Sequence, residues 1–178
     1  MAEILPARAE HAEAIHRIAR RLQLEGRELT AAVKSGFFLY AGSVTDYQKT
    51  LRESDFCYIA WEAQECIGFL TTITPEALAK LPAGPNRDLF EENGEFPLLI
   101  EQIGVTPEWQ HRGVGQSLLE ELLEKSKTTR LMATVVHSPV RNEGSIQFLL
   151  RNQWRLHREV TTVKRVWGFY EYRQGRDA

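Results

Sequence analysis

Cysteine and long apolar runs are both scarce in this chain of 178 residues. It holds two cysteines, Cys57 and Cys66, which are too few for a disulfide framework. We therefore expect free, buried thiols in a reducing cytoplasm. No stretch reaches the roughly 18 apolar residues of a membrane span. The opening residues also lack the apolar core of a signal peptide, so we expect neither a membrane anchor nor a membrane partner.

The sequence also lacks an excess of charge of either sign. Its 22 Lys and Arg residues and 24 Asp and Glu residues give a formal net charge of -2 and a pI of about 6.2. Because nucleic-acid-binding domains are usually basic, we expect no nucleic-acid partner. Fixed-period repeats and low-complexity tracts are absent too. With 43% hydrophobic residues, residues 1–178 are predicted to form a single globular domain.

Apolar spacing in the first half predicts helices around one β-hairpin. Residues 11–24 place apolar side chains at helical spacing, and Gly26 is expected to break that helix. Ser43 stands three residues before Asp46, a capping-box pattern that starts another helix. The predicted elements are a strand at 3–5, helices at 11–24, 27–34 and 44–52, and hairpin strands at 56–61 and 66–73.

A two-residue turn around Ala63 and Gln64 would set the register of this hairpin. Trp61 would then face Cys66, and Cys57 would face Leu70. This register brings no pair of cysteines together, so it predicts no disulfide.

The second half alternates strands and helices after a proline-rich segment. Residues 74–97 are predicted to form a short helix at 76–81 and then an irregular loop, which is either a mobile surface loop or a lid over a substrate. Strands are predicted at 97–105, 131–136, 154–160 and 165–172, and helices at 115–126 and 142–151. The order indicates an α/β fold with a central βαβαβ unit.

The most informative segment is a glycine-rich turn between a strand and a leucine-rich helix. Gly113 and Gly115 precede Leu118 and Leu119, so free backbone N–H groups at a helix start would face the turn. Such a terminus binds anions, and glycine lets a phosphate approach the backbone closely. A nucleotide P-loop would need Gly-Lys-Ser/Thr here, and a dinucleotide fingerprint would need a third glycine, so neither motif fits.

The sequence Gln110-His111-Arg112-Gly113-Val114-Gly115 resembles the pyrophosphate-binding turn of the GNAT superfamily of N-acetyltransferases. Downstream, Asn142, Ser145 and Phe148 follow that family's Asn-x-x-Ala/Ser-x-x-Phe pattern. The resemblance implies the acyl-CoA N-acyltransferase fold, which is a mixed, twisted central sheet flanked by helices, in which two parallel strands splay apart. These strands would be 98–105 and 131–136.

The resemblance further implies that acetyl-CoA is the cofactor and that the gap between the splayed strands holds its pantetheine arm. The backbone of Ile103 and Val105 would bond this arm, the amides of residues 112–116 would bind the pyrophosphate, and Asn142 would lie beside the arm or cap its helix. No metal is implied. The expected cofactor-binding residues are Ile103, Val105, Gln110, His111, Arg112, Gly113, Val114, Gly115, Gln116, Asn142, Ser145 and Phe148.

Acetyl transfer to an amine by direct attack in a ternary complex needs a general base, because an alkyl amine with a pKa of roughly 10 is mostly protonated at neutral pH. The preferred base is Glu101, on the splayed strand, with Gln102 expected on the opposite face by alternation. The second candidate is His137, which is expected at the end of the neighbouring strand, beside the same gap.

The chain departs from the family pattern at the residue that would supply the acid. Leu149 stands at the position of the usual tyrosine. Either the thiol leaves unaided, or another tyrosine (Tyr40, Tyr170 or Tyr172) replaces it, or the protein is a non-catalytic acyl-CoA-binding module. The acceptor is expected to be a small-molecule or peptide amine.

Part of the run Phe37 to Tyr40 is expected to belong either to the core or to the wall of the acceptor site. Aromatic residues in the last strands are compatible with a homodimer.

Overall fold

The computed structural model describes residues 2–25, 27–127 and 130–173, with residues 85–86 described by their backbone alone. The expected break at Gly26 lies outside these residues. The strands are β1 (Glu3–Pro6), β2 (Tyr58–Glu62), β3 (Glu65–Ile73), β4 (Leu98–Val105), β5 (Arg130–Ser138), β6 (Arg155–Thr161) and β7 (Val166–Arg173). The helices are α1 (Ala12–Leu22), α2 (Leu29–Ser35), α3 (Val44–Glu53), α4 (Pro75–Ala79), α5 (Pro85–Asp88), α6 (Val114–Ser126) and α7 (Glu143–Arg151).

These strands form one mixed sheet in the order β1-β2-β3-β4-β5-β7-β6. Only β4 and β5 are parallel, and they pair over three positions, from Leu98 opposite Leu131 to Ile100 opposite Ala133. Beyond Ile100 the two strands diverge and leave a gap in the middle of the sheet. The mixed sheet with splayed parallel strands is therefore confirmed.

Helices cover both faces of the sheet because alternate strand residues point to opposite sides. On one face, α6 and α7 bury Leu118, Leu122 and Ile146 against strand side chains such as Leu70 and Leu131. On the other face, α1 and α3 pack on β2 and β3 through a second apolar cluster. Ser43 and Asp46 form the predicted capping box at the start of α3.

The hairpin register differs from the prediction beyond its first pairs. Trp61 faces Cys66 as expected, but an irregularity between Ala60 and Trp61 shifts the pairing, so Leu70 faces Tyr58 instead of Cys57. The prediction assumed a regular ladder, and an inserted residue breaks that assumption. Both cysteines are free. Burial raises the pKa of both thiols, to about 11 for Cys66, so they stay protonated at neutral pH.

Residues 74–97 divide into two parts with different contacts. The first part, which contains α4, borders a cavity beside β4. The second part packs Phe90 and Phe96 against the α3 side of the sheet. There the Arg130 guanidinium donates to the Phe90 carbonyl at 3.2 Å and the Glu95 carbonyl at 3.4 Å. The segment is thus held against the sheet at its far end while its start lines a cavity.

None of the helices within residues 2–25, 27–127 and 130–173 combines the length and apolarity needed to cross a lipid bilayer.

Candidate active site

The glycine turn at the start of α6 forms one end of a cavity. Gly113 is the N-cap residue with φ of 83°, a left-handed conformation that a side chain would strain, and a Cβ placed there would meet no atom within 4 Å. The N–H groups of the first turn have no acceptors within the helix, because each would need a carbonyl four residues earlier. The turn therefore presents open, positively polarised backbone to the cavity.

The backbone of β4 lines the same cavity where the sheet opens. Thr106 donates its N–H to the Ile67 carbonyl at 2.8 Å, so this position bonds to β3. Bonded and non-bonded positions alternate in an antiparallel ladder, so Ile103 and Val105 direct their N–H and C=O groups away from β3 and into the gap. One of these groups, the Val105 carbonyl, accepts a bond of 3.0 Å from Gln110 Nε2.

This donor cavity has a volume of about 630 Å³ and runs from the gap along α6 and α7. It brings together ten of the twelve expected cofactor-binding residues. They are Ile103, Val105, Gln110, His111, Gly113, Val114, Gly115, Gln116, Ser145 and Phe148. Phe37 and Phe38, which were assigned either to the core or to an acceptor wall, also line it.

Two expected cofactor-binding residues lie outside the lining of the donor cavity. The Arg112 guanidinium stacks 5.2 Å from the centre of the Trp109 ring. Asn142 is buried and acts as the cap of α7, accepting from the Ser145 N–H at 3.2 Å and donating to the Phe37 carbonyl at 2.9 Å. Asn142 thus takes the capping role of its two expected roles, and it ties α7 to the segment after α2.

A second cavity of about 1020 Å³ lies on the α3 side of β4. Its walls come from α3, from α4 and from the segment that contains Tyr40 and Gly42, and its floor includes Glu101 and Gln102. The linings of the two cavities therefore contain neighbouring residues of one strand, with Glu101 and Gln102 in this lining and Ile103 in that of the donor cavity. We call this second cavity the acceptor cavity.

A bulge explains why two consecutive residues face the same cavity. Thr71 pairs with Gln102, but the next residue, Thr72, pairs with Ile100, so Glu101 is an extra residue in β4. The expectation that Gln102 would point to the face opposite Glu101 is wrong, because it assumed regular alternation. Gln102 instead accepts from the Tyr47 hydroxyl at 2.6 Å and donates to the Tyr40 carbonyl at 3.2 Å.

Glu101 is a largely buried carboxyl in the lining of the acceptor cavity, two residues before Ile103 of the donor cavity. Burial raises its pKa above the ordinary value, and the nearby hydroxyls of Thr71 and Thr50 oppose the rise only in part. Its Oε2 atom is buried and has no hydrogen-bond partner among the described residues. The Thr71 hydroxyl, which is fully buried, lies beside the same carboxyl. A buried carboxyl with a spare acceptor atom and a raised pKa suits proton abstraction.

His137 lies elsewhere and lines neither cavity. Its Nδ1 is 2.5 Å from Glu159 Oε1 and its Nε2 is 3.0 Å from the Tyr170 hydroxyl, so both ring nitrogens are engaged. The sequence suggested that His137 stands beside the gap. Its contact with Tyr170, a residue of the main core, instead places it on the α6 and α7 side of the sheet, away from the acceptor cavity.

Of the three tyrosines considered as acids, Tyr40 lines the acceptor cavity, whereas Tyr170 and Tyr172 belong to the main core. Leu149 is buried in that same core and lines neither cavity. Burial raises the pKa of Tyr40, and the Glu101 charge adds to the rise.

Sequence reasoning missed the polar walls of the acceptor cavity. Four of the missed residues recur at helical spacing on one side of α3, namely Asp46, Lys49, Thr50 and Glu53. This polar stripe was the available signal, although a solvated helix surface shows the same pattern.

Residues 24–153 match the family described as the Acetyltransferase (GNAT) family. The match covers more than half of the chain, so the chain belongs to this family of acetyltransferases. No protein with a curated description matches the sequence.

Solved structures agree with the fold. A GNAT-family acetyltransferase from Bacillus cereus is 17% identical, with 99% of each chain covered and a TM-score of 0.65. YncA from Salmonella typhimurium, solved with acetyl-CoA, is 11% identical over 100% of this chain and 96% of its own, with a TM-score of 0.67. Arabidopsis thaliana Naa50, solved with the bisubstrate analogue CoA-Ac-MVNAL, is 14% identical over 96% and 97%, with a TM-score of 0.65. Together with the family match, they support acetyl-CoA as the cosubstrate that the sequence predicts.

Proposed function

We propose that this protein transfers an acetyl group from acetyl-CoA to a primary amine of a small molecule or peptide, by direct attack in a ternary complex. The observation that supports this most strongly is that two cavities are lined by neighbouring residues of β4, with the largely buried Glu101 in the lining of one and Ile103 in the lining of the other. An enzyme that joins two substrates needs adjacent sites for them, because reacting atoms must be held within about 3–3.5 Å of each other.

The donor cavity would hold acetyl-CoA, which supplies the acyl group as an activated thioester. The first-turn N–H groups of α6, at residues 113–116, would receive the pyrophosphate. The outward-facing backbone of Ile103 and Val105 would bond the pantetheine amides as a neighbouring strand would. The same strand offers N–H groups that can stabilise negative charge on the carbonyl oxygen during attack.

Glu101 would act as the general base for the amine. The amine nitrogen bonds to the acyl carbon as the carbon–sulfur bond breaks, and the amine proton passes to Glu101 directly or through one water. The thiolate then takes a proton. Thiols have a low pKa, near 8.5, so this last step needs little help, and Tyr40 is the tyrosine best placed to give it.

A second candidate function, a non-catalytic acyl-CoA-binding module, is favoured by Leu149. No tyrosine occupies that position, and the side chain there faces the core. Such a module would bind acetyl-CoA and release no CoA thiol in the presence of any amine.

The test of the donor cavity compares two glycine-to-glutamate variants. Gly113 and Gly94 have similar φ angles, 83° and 81°, and both have open space where a Cβ would lie. Gly113→Glu places a carboxylate at the proposed pyrophosphate site, whereas Gly94→Glu puts the same strain and charge in the 74–97 segment. Calorimetry with acetyl-CoA should show binding to the wild type and to Gly94→Glu, and a loss of at least about 100-fold in Gly113→Glu.

Thiol release in the presence of an amine panel then separates transfer from binding. Binding without turnover on any amine would favour the module. A wild-type protein that binds no acetyl-CoA would contradict both functions.

A further inference from the structure

The acceptor cavity carries more negative charge than the chain as a whole. Carboxylates outnumber ammonium groups five to two in its lining, although the whole chain has 24 acidic and 22 basic residues. The rest of the chain is therefore close to neutral, and the excess of negative charge lies in one cavity. The carboxylates are Asp46, Glu53, Asp55, Glu76 and Glu101, and the lysines are Lys49 and Lys80.

Part of this wall charge is compensated within the protein. Lys49 Nζ lies 4.0 Å from Glu53 Oε1. Asp46 accepts two hydrogen bonds from Ser43, the N-cap residue of α3. The remaining wall carboxylates, Asp55 and Glu76, share the lining with the second lysine, Lys80. Hence the walls stay acidic even when Glu101, on the floor, is assigned to the reacting amine.

The floor has a spare place for a donor that does not depend on this charge count. Glu101 and Thr50 line the acceptor cavity, and the Thr50 and Thr71 hydroxyls lie close enough to act on the Glu101 carboxyl. A carboxylate has about four lone-pair sites, so the two nearby threonine hydroxyls leave room for a further donor at the floor of the cavity. An amine nitrogen has this chemistry.

Apolar surface lies between the floor and the acidic walls. Phe56, Ile73, Ala77 and Leu81 also line the acceptor cavity, and they would contact a chain of methylene groups. From its floor outwards, the acceptor cavity therefore presents a carboxyl, then apolar surface and then the wall carboxylates.

Building on the proposed acetyl transfer, we propose that the acceptor is an aliphatic amine with a second positive charge, a diamine or polyamine. One amine would lie at Glu101 and react, the methylene chain would pack on the apolar surface, and the second ammonium would lie near Asp55 and Glu76. A peptide with an uncharged chain would leave these wall carboxylates without a cation.

The test compares 1,4-diaminobutane with 1-aminopentane, which has the same number of heavy atoms but no second ammonium. Binding is measured by calorimetry on the protein saturated with CoA, and kcat/KM is measured by thiol release from acetyl-CoA. The diamine should bind at least about tenfold more tightly and show the higher kcat/KM, and its advantage should shrink with added salt because exposed charges are screened. Equal binding of the two amines, or better use of an uncharged peptide, would overturn the proposal.

Variants with opposite charge changes on α4 make the test specific. Glu76→Gln should lower the diamine-to-monoamine ratio of affinities by up to about fivefold, as for a partly exposed ion pair. Lys80→Gln, one helical turn away, should raise it. Glu13→Gln removes the same charge from an exposed site on α1 and should leave the ratio unchanged. Ratios that move together in Glu76→Gln and Lys80→Gln would contradict an electrostatic site.

The binding measurement keeps this proposal separate from the proposed reaction. A protein that binds the diamine selectively but transfers no acetyl group would retain the acceptor class and lose the transferase. A protein that acetylates 1-aminopentane and 1,4-diaminobutane equally would retain the transferase and lose the acceptor class.

Discussion

The donor cavity and the acceptor cavity share one strand, but different kinds of chemical group carry their proposed contacts. The proposed polar contacts of the donor cavity come from backbone, namely a glycine turn, the first N–H groups of α6 and the exposed groups of Ile103 and Val105. The acceptor cavity is formed by side chains from α3, α4 and β4, which are far apart in sequence. A backbone site needs residues that let the chain bend, and these leave a short local motif. A side-chain site has no such motif, because any chemistry can be placed on the same fold.

The largest expected effect is the loss of catalysis in Glu101→Gln. The amide keeps the size of the side chain but cannot take the amine proton, so kcat should fall by about 10²–10⁴-fold. Because the donor cavity is built from other groups, the Kd for acetyl-CoA should change by less than about threefold. Thiol-release kinetics and calorimetry measure the two quantities. An equal loss in both would show that the two cavities are not separate.

A smaller effect is expected where α7 touches the segment after α2. A Cβ at Gly144 would lie 2.2 Å from the Gly36 nitrogen, so Gly144→Ala must move α7 and residues 34–36, which all line the donor cavity, away from each other. Such overpacking typically costs about 1–3 kcal/mol. We expect a lower free energy of unfolding and an acetyl-CoA affinity weakened by roughly tenfold.

Gly42→Ala is the matched control for that change. Its added Cβ would have its nearest contacts at 3.4 Å, an ordinary packing distance. Urea unfolding should therefore separate the two variants clearly. If both variants were equally stable, the close packing of α7 on residues 34–36 would not be required for the donor cavity.

His137→Gln should have a still smaller effect on activity. His137 lies on the opposite side of the sheet from the acceptor cavity and is engaged by Glu159 and Tyr170. Removal of these buried contacts should lower the free energy of unfolding by about 1–3 kcal/mol, with kcat changed by less than about threefold. The pH dependence of kcat should keep its fall at low pH in His137→Gln. If this fall disappeared in His137→Gln but not in Glu101→Gln, His137 would be the general base instead of Glu101.

The smallest effect concerns stability and pH. Burial raises the pKa of Glu101 in the folded protein, so its protonated form is favoured and ionisation disfavours folding. This penalty is absent below the unfolded-state pKa and grows as the pH rises through the folded-state value. Glu101→Gln should therefore have a higher Tm than the wild type at neutral pH, and the difference should vanish near pH 4. A constant difference across this range would assign it to packing.

Most elements could be predicted from the sequence to within a few residues, because periodicity and capping are local. The capping box at Ser43 and the strand at 98–105 are examples. The bulges in the β2–β3 and β3–β4 pairings could not be predicted in this way. Each adds one residue to one strand, and nothing local distinguishes that residue until the partner strand is in place. The bulge at Glu101 is the more important, since it determines which side chains share the acceptor cavity.

The position of His137 illustrates a second limit. Its contact with Tyr170 groups it with the side chains that face α6, but the sequence does not tell which face of the sheet carries the acceptor cavity. That choice depends on where α3 and α4 pack, and hence on contacts between distant segments. The walls of the acceptor cavity were missed for the same reason.

The divergence of β4 and β5 after Ile100 makes the folded state respond to what enters the gap. Elsewhere in a sheet, neighbouring strands satisfy each other's backbone groups, but here that partner is missing on one side of β4. A bound pantetheine would serve as a substitute piece of strand, and its binding energy would add to the stability of the fold. At 100 times Kd this linkage contributes about 2.7 kcal/mol. The melting temperature of the protein would then rise with the concentration of acyl-CoA and would report how much of the ligand is present.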